Sequence, residues 1–149
     1  MKLHPRRRIL VAGDSAVYHV MSRTACQAFL FGDEEKEIFC RQLHKQAAFA
    51  GVQVLAYCVM GNHIHLLLRV PDVEALSDKE LLARYQAYYG DEQVPLSTYS
   101  VEELRSILAE GGRDADVARE RILARMGDLP AFMRELKQRF SIWFNHQHG

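Results

Sequence analysis

The stretch Val52-Gln-Val-Leu-Ala-Tyr-Cys-Val-Met60, then Gly61-Asn62, then His63-Ile-His-Leu-Leu-Leu-Arg-Val70 decides how this chain folds. Gly61-Asn62 is a two-residue link of the kind that closes a tight hairpin. The first arm is apolar at almost every position, which predicts a strand covered on both faces and central in its sheet. The second arm alternates, with Ile64, Leu66, Leu68 and Val70 on one side and His63, His65, Leu67 and Arg69 on the other. Pro71 closes it.

Upstream of the hairpin, Gly32-Asp33 opens a helix over about residues 33–50. Asp33 is the candidate cap, and the acidic residues after it complement the helix dipole. Phe39, Leu43, Ala47 and Ala50 share one face, and Gly51 is a natural stop. Before the helix, residues 16–23 (Ala-Val-Tyr-His-Val-Met-Ser-Arg) favour a strand. Strand, helix and hairpin in that order open a ferredoxin-like α+β sandwich, an antiparallel sheet with helices on one face.

Beyond Pro71 the character changes. Ser77-Asp-Lys-Glu80 and Ser100-Val-Glu-Glu103 are capping boxes, each starting a short helix, and residues 114–126 predict a third. Residues 72–128 therefore read as an acidic helical insertion standing out from the sheet. Residues 129–146 make the clearest helix, with Leu129, Phe132, Met133, Leu136, Phe140, Trp143 and Phe144 at three- and four-residue spacing. One domain over 1–149 is the expectation, with its core in 16–71 and 129–149.

Charge sums to zero but is unevenly spread: +4 over residues 1–71, −6 over 72–128 and +2 over 129–149. The basic flanks offer a surface for nucleic acid, although the overall balance does not demand one. No run approaches the roughly 18 apolar residues of a membrane span, and Ile9-Leu-Val-Ala12 is too short for a signal peptide. The three cysteines, Cys26, Cys40 and Cys58, form no C-x-x-C pair. A cytoplasmic protein without a disulfide framework is the expectation.

The chemistry concentrates at His63-Ile64-His65. Residues i and i+2 of a strand point the same way, about 7 Å apart, so two imidazoles here can converge on one divalent cation. Two neutral imidazoles are an incomplete shell, which waters, a phosphate oxygen or a third protein ligand must complete. The plain alternative is a pair of hydrogen-bonded histidines on a half-exposed strand. A histidine triad of the nucleotide-hydrolase kind is excluded by Leu67, where a third histidine would stand. His19 lies on the first strand and is a candidate neighbour across the sheet. His146 and His148 diverge by about 200° on a helix and do not form a second pair.

Tyr18-His-Val-Met-Ser-Arg23 together with Val59-Met-Gly-Asn-His-Ile-His-Leu-Leu-Leu68 resembles the core of the single-tyrosine HUH transposases, in particular the REP-associated tyrosine transposases. Phe140-Ser-Ile-Trp-Phe-Asn-His-Gln-His-Gly149 is similar to the segment such proteins carry before their last strand. The resemblance covers residues 16–71 and 129–149, and it treats 72–128 as a subgroup insertion. It implies a DNA transposase acting on single-stranded or hairpin DNA, with His63 and His65 holding Mg²⁺ or Mn²⁺ at the scissile phosphate. It further implies that a tyrosine hydroxyl attacks that phosphate, becoming linked to the 5′ phosphate as the bond to the 3′ oxygen breaks and a free 3′-OH leaves.

In that family the tyrosine lies on a helix beyond the last strand, so the nucleophile is expected beyond Gly149 and the chain reads as C-terminally truncated. The tyrosines present are all upstream: Tyr18, Tyr57, Tyr85, Tyr88, Tyr89 and Tyr99. Candidate nucleic-acid contacts are Arg6, Arg7, Arg8, Arg23, Asn62, Arg69, Lys137 and Arg139. A homodimer is expected from the resemblance alone. Two other functions stay open: a non-catalytic DNA-binding remnant, and a metal-dependent phosphodiesterase that uses water.

Overall fold

The strand–helix–hairpin order is what the chain adopts. A computed structural model describes residues 15–24, 31–71, 76–90 and 99–149. Its elements are β1 (Ala16–Arg23), α1 (Asp33–Ala50), β2 (Gln53–Val59), β3 (His63–Val70), α2 (Asp78–Tyr89), α3 (Val101–Glu110), α4 (Gly112–Leu123) and α5 (Leu129–His148). The fold is α+β, with an antiparallel sheet of order β1-β3-β2 and helices on one face.

The order corrects one expectation. Among the described residues β2 is an edge strand, and the centre of the sheet is β3, paired with β1 on one side and β2 on the other. Leu55, Tyr57 and Cys58 of β2 are exposed, while Ile64, Leu66, Leu68 and Val70 of β3 are buried. Near-continuous apolarity therefore did not mean burial on two faces. A register shift between Val54 and Ala56 leaves Leu55 outside the ladder, the behaviour of a bulged edge. The hairpin itself closes as expected, with the Met60 amide donating to the His63 carbonyl at 2.8 Å.

The cap of α1 lies one residue earlier than expected. Gly32 is the N-cap and contributes no side chain, so Asp33 sits inside the first turn with Glu34 and Glu35. The dipole argument survives and the capping argument for Asp33 does not. Gly51 ends the helix at φ 72°, the left-handed region, where a Cβ would also meet the Arg84 guanidinium at 3.1 Å. Phe39, Leu43, Ala47 and Ala50 are buried as expected, joined by Phe49 and Gln46. Gln46 donates through Nε2 to the Phe132 carbonyl at 2.8 Å, which ties α1 to α5.

Both capping boxes form, at Ser77/Glu80 and Ser100/Glu103. α4 starts at Gly112, ahead of the expected residue 114. The helices after β3 pack on α1 and on each other. α2, α3 and α4 share the core, in place of the expected insertion standing out from the sheet: Leu81, Tyr85, Tyr88, Tyr89, Leu104, Ala118 and Ile122 all belong to it. Phe49 of α1 stacks on Tyr88 with ring centroids 4.8 Å apart.

α5 is capped by Asp128, whose carboxylate accepts from the Ala131 amide at 3.2 Å. Its buried stripe is Leu129, Phe132, Met133, Leu136 and Phe140, with Trp143 and Phe144 partly covered. Phe140 stacks on Phe31 at 5.0 Å, and His148 reaches Glu35 at 3.0 Å. Among the described residues no helix is long and apolar enough to cross a membrane.

Candidate metal and nucleic-acid site on the open sheet face

The side of the sheet turned away from the helices carries the histidines. Alternation along β3 puts Ile64, Leu66, Leu68 and Val70 into the core, so His63, His65, Leu67 and Arg69 are left on the open side. Directly paired residues share a face, and the register therefore assigns the neighbours. Arg23 on β1 lies opposite His63. Met21 on β1 and Cys58 on β2 flank His65, and His19 lies opposite Leu67. Met21 is 50% exposed and Met60 is 44% exposed, so this face is open to solvent.

His63 and His65 stand side by side, with ring centroids 5.0 Å apart and planes nearly perpendicular at 82°. Each uses its Nδ1 within the protein. His63 Nδ1 is 2.7 Å from Asn62 Oδ1, and His65 Nδ1 is 3.0 Å from His19 Nε2. The carbonyl of the Asn62 side chain only accepts, so His63 Nδ1 donates, and in the neutral ring Nε2 then carries the lone pair. Asn62 is itself held: its main-chain carbonyl accepts from the Thr24 amide at 2.9 Å and from the Thr24 hydroxyl at 3.2 Å. The turn before β3 is thereby tied to the end of β1.

Among the described residues no group of three or more His, Cys, Asp or Glu side chains is placed to hold a metal ion. What the face offers is two imidazole nitrogens on adjacent same-side positions of the central strand. As a donor set that is a partial shell, suited to a divalent cation that keeps several water or phosphate oxygens.

The other candidates scatter. Asn62 and Arg23 belong to the histidine end of the open face. Arg69 shares the face but sits six residues along β3, about 20 Å away at strand rise, where it donates to Gln53 at 3.2 Å. Lys137 and Arg139 lie on α5 in the helical layer, on the other side of the sheet. The Arg139 guanidinium lies over the Tyr88 ring, 4.3 Å from its centroid. Arg6, Arg7 and Arg8 fall outside the described residues.

None of the six tyrosines shares the open face with the histidines. Tyr18 and Tyr57 are on the core-facing side of their strands, and Tyr85, Tyr88, Tyr89 and Tyr99 belong to the helical layer. Burial pushes the Tyr88 phenol up to about 12.

His19 is the residue whose importance a linear reading undervalues. Strand alternation puts it on one of two faces, but only the β1–β3 register brings it to His65. The same register reveals Met21 and Cys58 as flanking groups.

No curated protein and no solved structure matches this chain. Residues 13–83, just under half of its length, match the family model described as "Transposase IS200 like". The unit that holds the two histidines on its open face is thus similar to the IS200-like transposases, a match that supports the transposase family and a transposase-family function.

Proposed function

We propose that this chain is the metal-holding part of a single-tyrosine HUH transposase of the REP-associated kind, acting on single-stranded or hairpin DNA. The observation that carries the reading is the side-by-side placement of His63 and His65 on the open face of the central strand. Their Nδ1 atoms are engaged by Asn62 and His19, which orients both rings from behind. His63 and His65 would hold Mg²⁺ or Mn²⁺, and an imidazole pair favours Mn²⁺ of the two. Such a cation supplies charge stabilisation on the oxygens of the scissile phosphate. Arg23, beside His63, and Asn62 are placed to meet the DNA backbone at the same end of the face. On this reading residues 72–128 are an insertion in one HUH-like domain.

A second reading is favoured by a specific observation. No tyrosine present faces the histidine pair, so residues 1–149 by themselves would bind DNA without cleaving it.

One pair of measurements tests both. Titration of Mn²⁺ into the protein, followed by calorimetry, should show one site that is lost in the His63→Ala, His65→Ala double variant. Unchanged affinity in that variant would sink the metal assignment. Incubation with end-labelled single-stranded hairpin DNA and Mn²⁺ should give a mobility shift without a covalent adduct. A stable adduct would place a working nucleophile among the six tyrosines, and free 5′-phosphate product without an adduct would point to phosphodiester hydrolysis by water.

A further inference from the structure

His19 pairs through its main chain with Leu67, yet its ring reaches diagonally to His65. The two rings are parallel within 4°, their centroids are 5.2 Å apart, and Nε2 of His19 lies 3.0 Å from Nδ1 of His65. Two ring radii plus the N–N separation account for the centroid distance. The rings therefore lie edge to edge in nearly one plane, not face over face. That is the geometry of an N–H···N hydrogen bond, in which one nitrogen donates and the other accepts.

The direction of that bond decides what His65 presents to the outside. If His19 Nε2 donated, neutral His65 would carry its proton on Nε2, and its outward nitrogen would have no lone pair. If His65 donates from Nδ1, its Nε2 is free to ligate. His63 is already fixed in the second form, because Asn62 Oδ1 can only accept from its Nδ1. The partner of one ring nitrogen sets the tautomer of the other.

We infer that His19 is a positioning residue that accepts from His65 Nδ1, so that His63 and His65 present matching Nε2 lone pairs to one divalent cation. This rests on the metal reading above. His19 does for His65 what Asn62 does for His63, from the neighbouring strand instead of the preceding residue. An outer partner of this kind also raises the basicity of the ligating nitrogen, and its loss weakens metal affinity about 10- to 100-fold.

The test begins without metal. Long-range ¹H–¹⁵N correlation spectra, recorded above the ordinary imidazole range, separate protonated from lone-pair ring nitrogens. The wild-type chain should show His65 protonated on Nδ1, and His19→Phe should release that preference. A proton on Nε2 of His65 in the wild type, or a tautomer indifferent to His19→Phe, would overturn the inference. His19 is exposed, and Phe suits a strand, so the variant keeps the fold.

Mn²⁺ titration of the same samples supplies the second arm. Affinity should fall at least about tenfold in His19→Phe and return in His19→Gln, whose side-chain carbonyl reaches the same place as the imidazole Nε2. A fall of equal size in His19→Gln would mean that the His19 nitrogen itself is required, against the positioning role. If the wild type bound no Mn²⁺, the metal reading would fail by itself, while the tautomer spectra would still decide whether His19 orients His65.

Discussion

Arg125 holds Glu135 in a two-bond fork, with Nε at 2.6 Å from Oε1 and Nη2 at 3.0 Å from Oε2. The same guanidinium donates to the Tyr89 hydroxyl at 2.5 Å and lies 4.6 Å from the Phe49 ring centroid. One side chain at the end of α4 thus joins α5, α2 and α1. Both members of the pair are about three-quarters covered, each with 24% side-chain exposure. Planar, bidentate recognition of this kind is the part of an ion pair that a lysine does not reproduce.

Arg125→Met should therefore destabilise the fold by about 2–3 kcal/mol, because it leaves the Glu135 carboxylate without its partner in a largely covered place. Arg125→Lys should recover less than half of that. Urea unfolding of the three proteins reads the difference. A loss below about 0.5 kcal/mol, the ordinary range of surface substitutions, would show that the helices after β3 are not anchored to α1 and α5 through this residue.

Acid should weaken the helical layer before it weakens the sheet. Arg119 grips Asp78 in a fork of 2.8 and 3.0 Å and holds its carboxyl below the ordinary 3.8. The Ser77 amide and then the Ser77 hydroxyl lower Glu80, and Glu35 is lowered first by its own amide, then by that of Gly32 and by His148. A depressed carboxyl contributes stability that is complete above its unfolded value and is lost as pH falls through the folded one. Stability should thus be flat with respect to these groups above about pH 5 and decline below the ordinary values of 3.8 to 4.5. Asp78→Asn should flatten part of that decline, as followed by thermal unfolding at successive pH values.

Neither Tyr88 nor Tyr89 should serve as a nucleophile. Both are buried, burial raises both phenols, and both rings pack in the helical layer behind the sheet. Tyr88→Phe and Tyr89→Phe should leave Mn²⁺ affinity and DNA binding unchanged. They should differ in stability, since Tyr89→Phe removes the acceptor of the Arg125 bond at a cost of about 1 kcal/mol. A covalent DNA adduct that vanished in either variant would contradict the placement of both rings.

Much of this architecture was legible in the sequence because local rules and burial agree. The alternation in β3 separates a buried row from His63 and His65, and the two Ser-x-x-Glu boxes start helices where they should. What a linear reading misses is pairing. β2 looks central because Val54, Leu55, Tyr57, Cys58 and Val59 are all apolar, yet strand order is decided by which neighbour each strand bonds, and β3 takes both. His19 is undervalued for the same reason, since its contact with His65 spans 46 residues and exists only once the β1–β3 register is known. The tyrosines of α2 read as an outlying insertion because their burial depends on Phe49 and Arg139, which are distant in sequence.

The strand order makes a prediction of its own, opposite to that of a central β2. Leu55 is 42% exposed and sits at the register shift, and Cys58 is exposed on the open face. Leu55→Thr and Cys58→Thr put a β-branched residue on an edge strand and remove little buried surface, so each should change stability by no more than about 0.5 kcal/mol. Leu66 and Leu68 are almost fully buried on the strand between the two edges. Truncation of either to alanine should cost about 2–5 kcal/mol, from lost burial and the cavity left behind. Guanidinium unfolding of the four variants settles the order. If the β2 substitutions proved as costly as those in β3, β2 would have to be covered on its second face as well, and the open face that presents His63 and His65 would not be open.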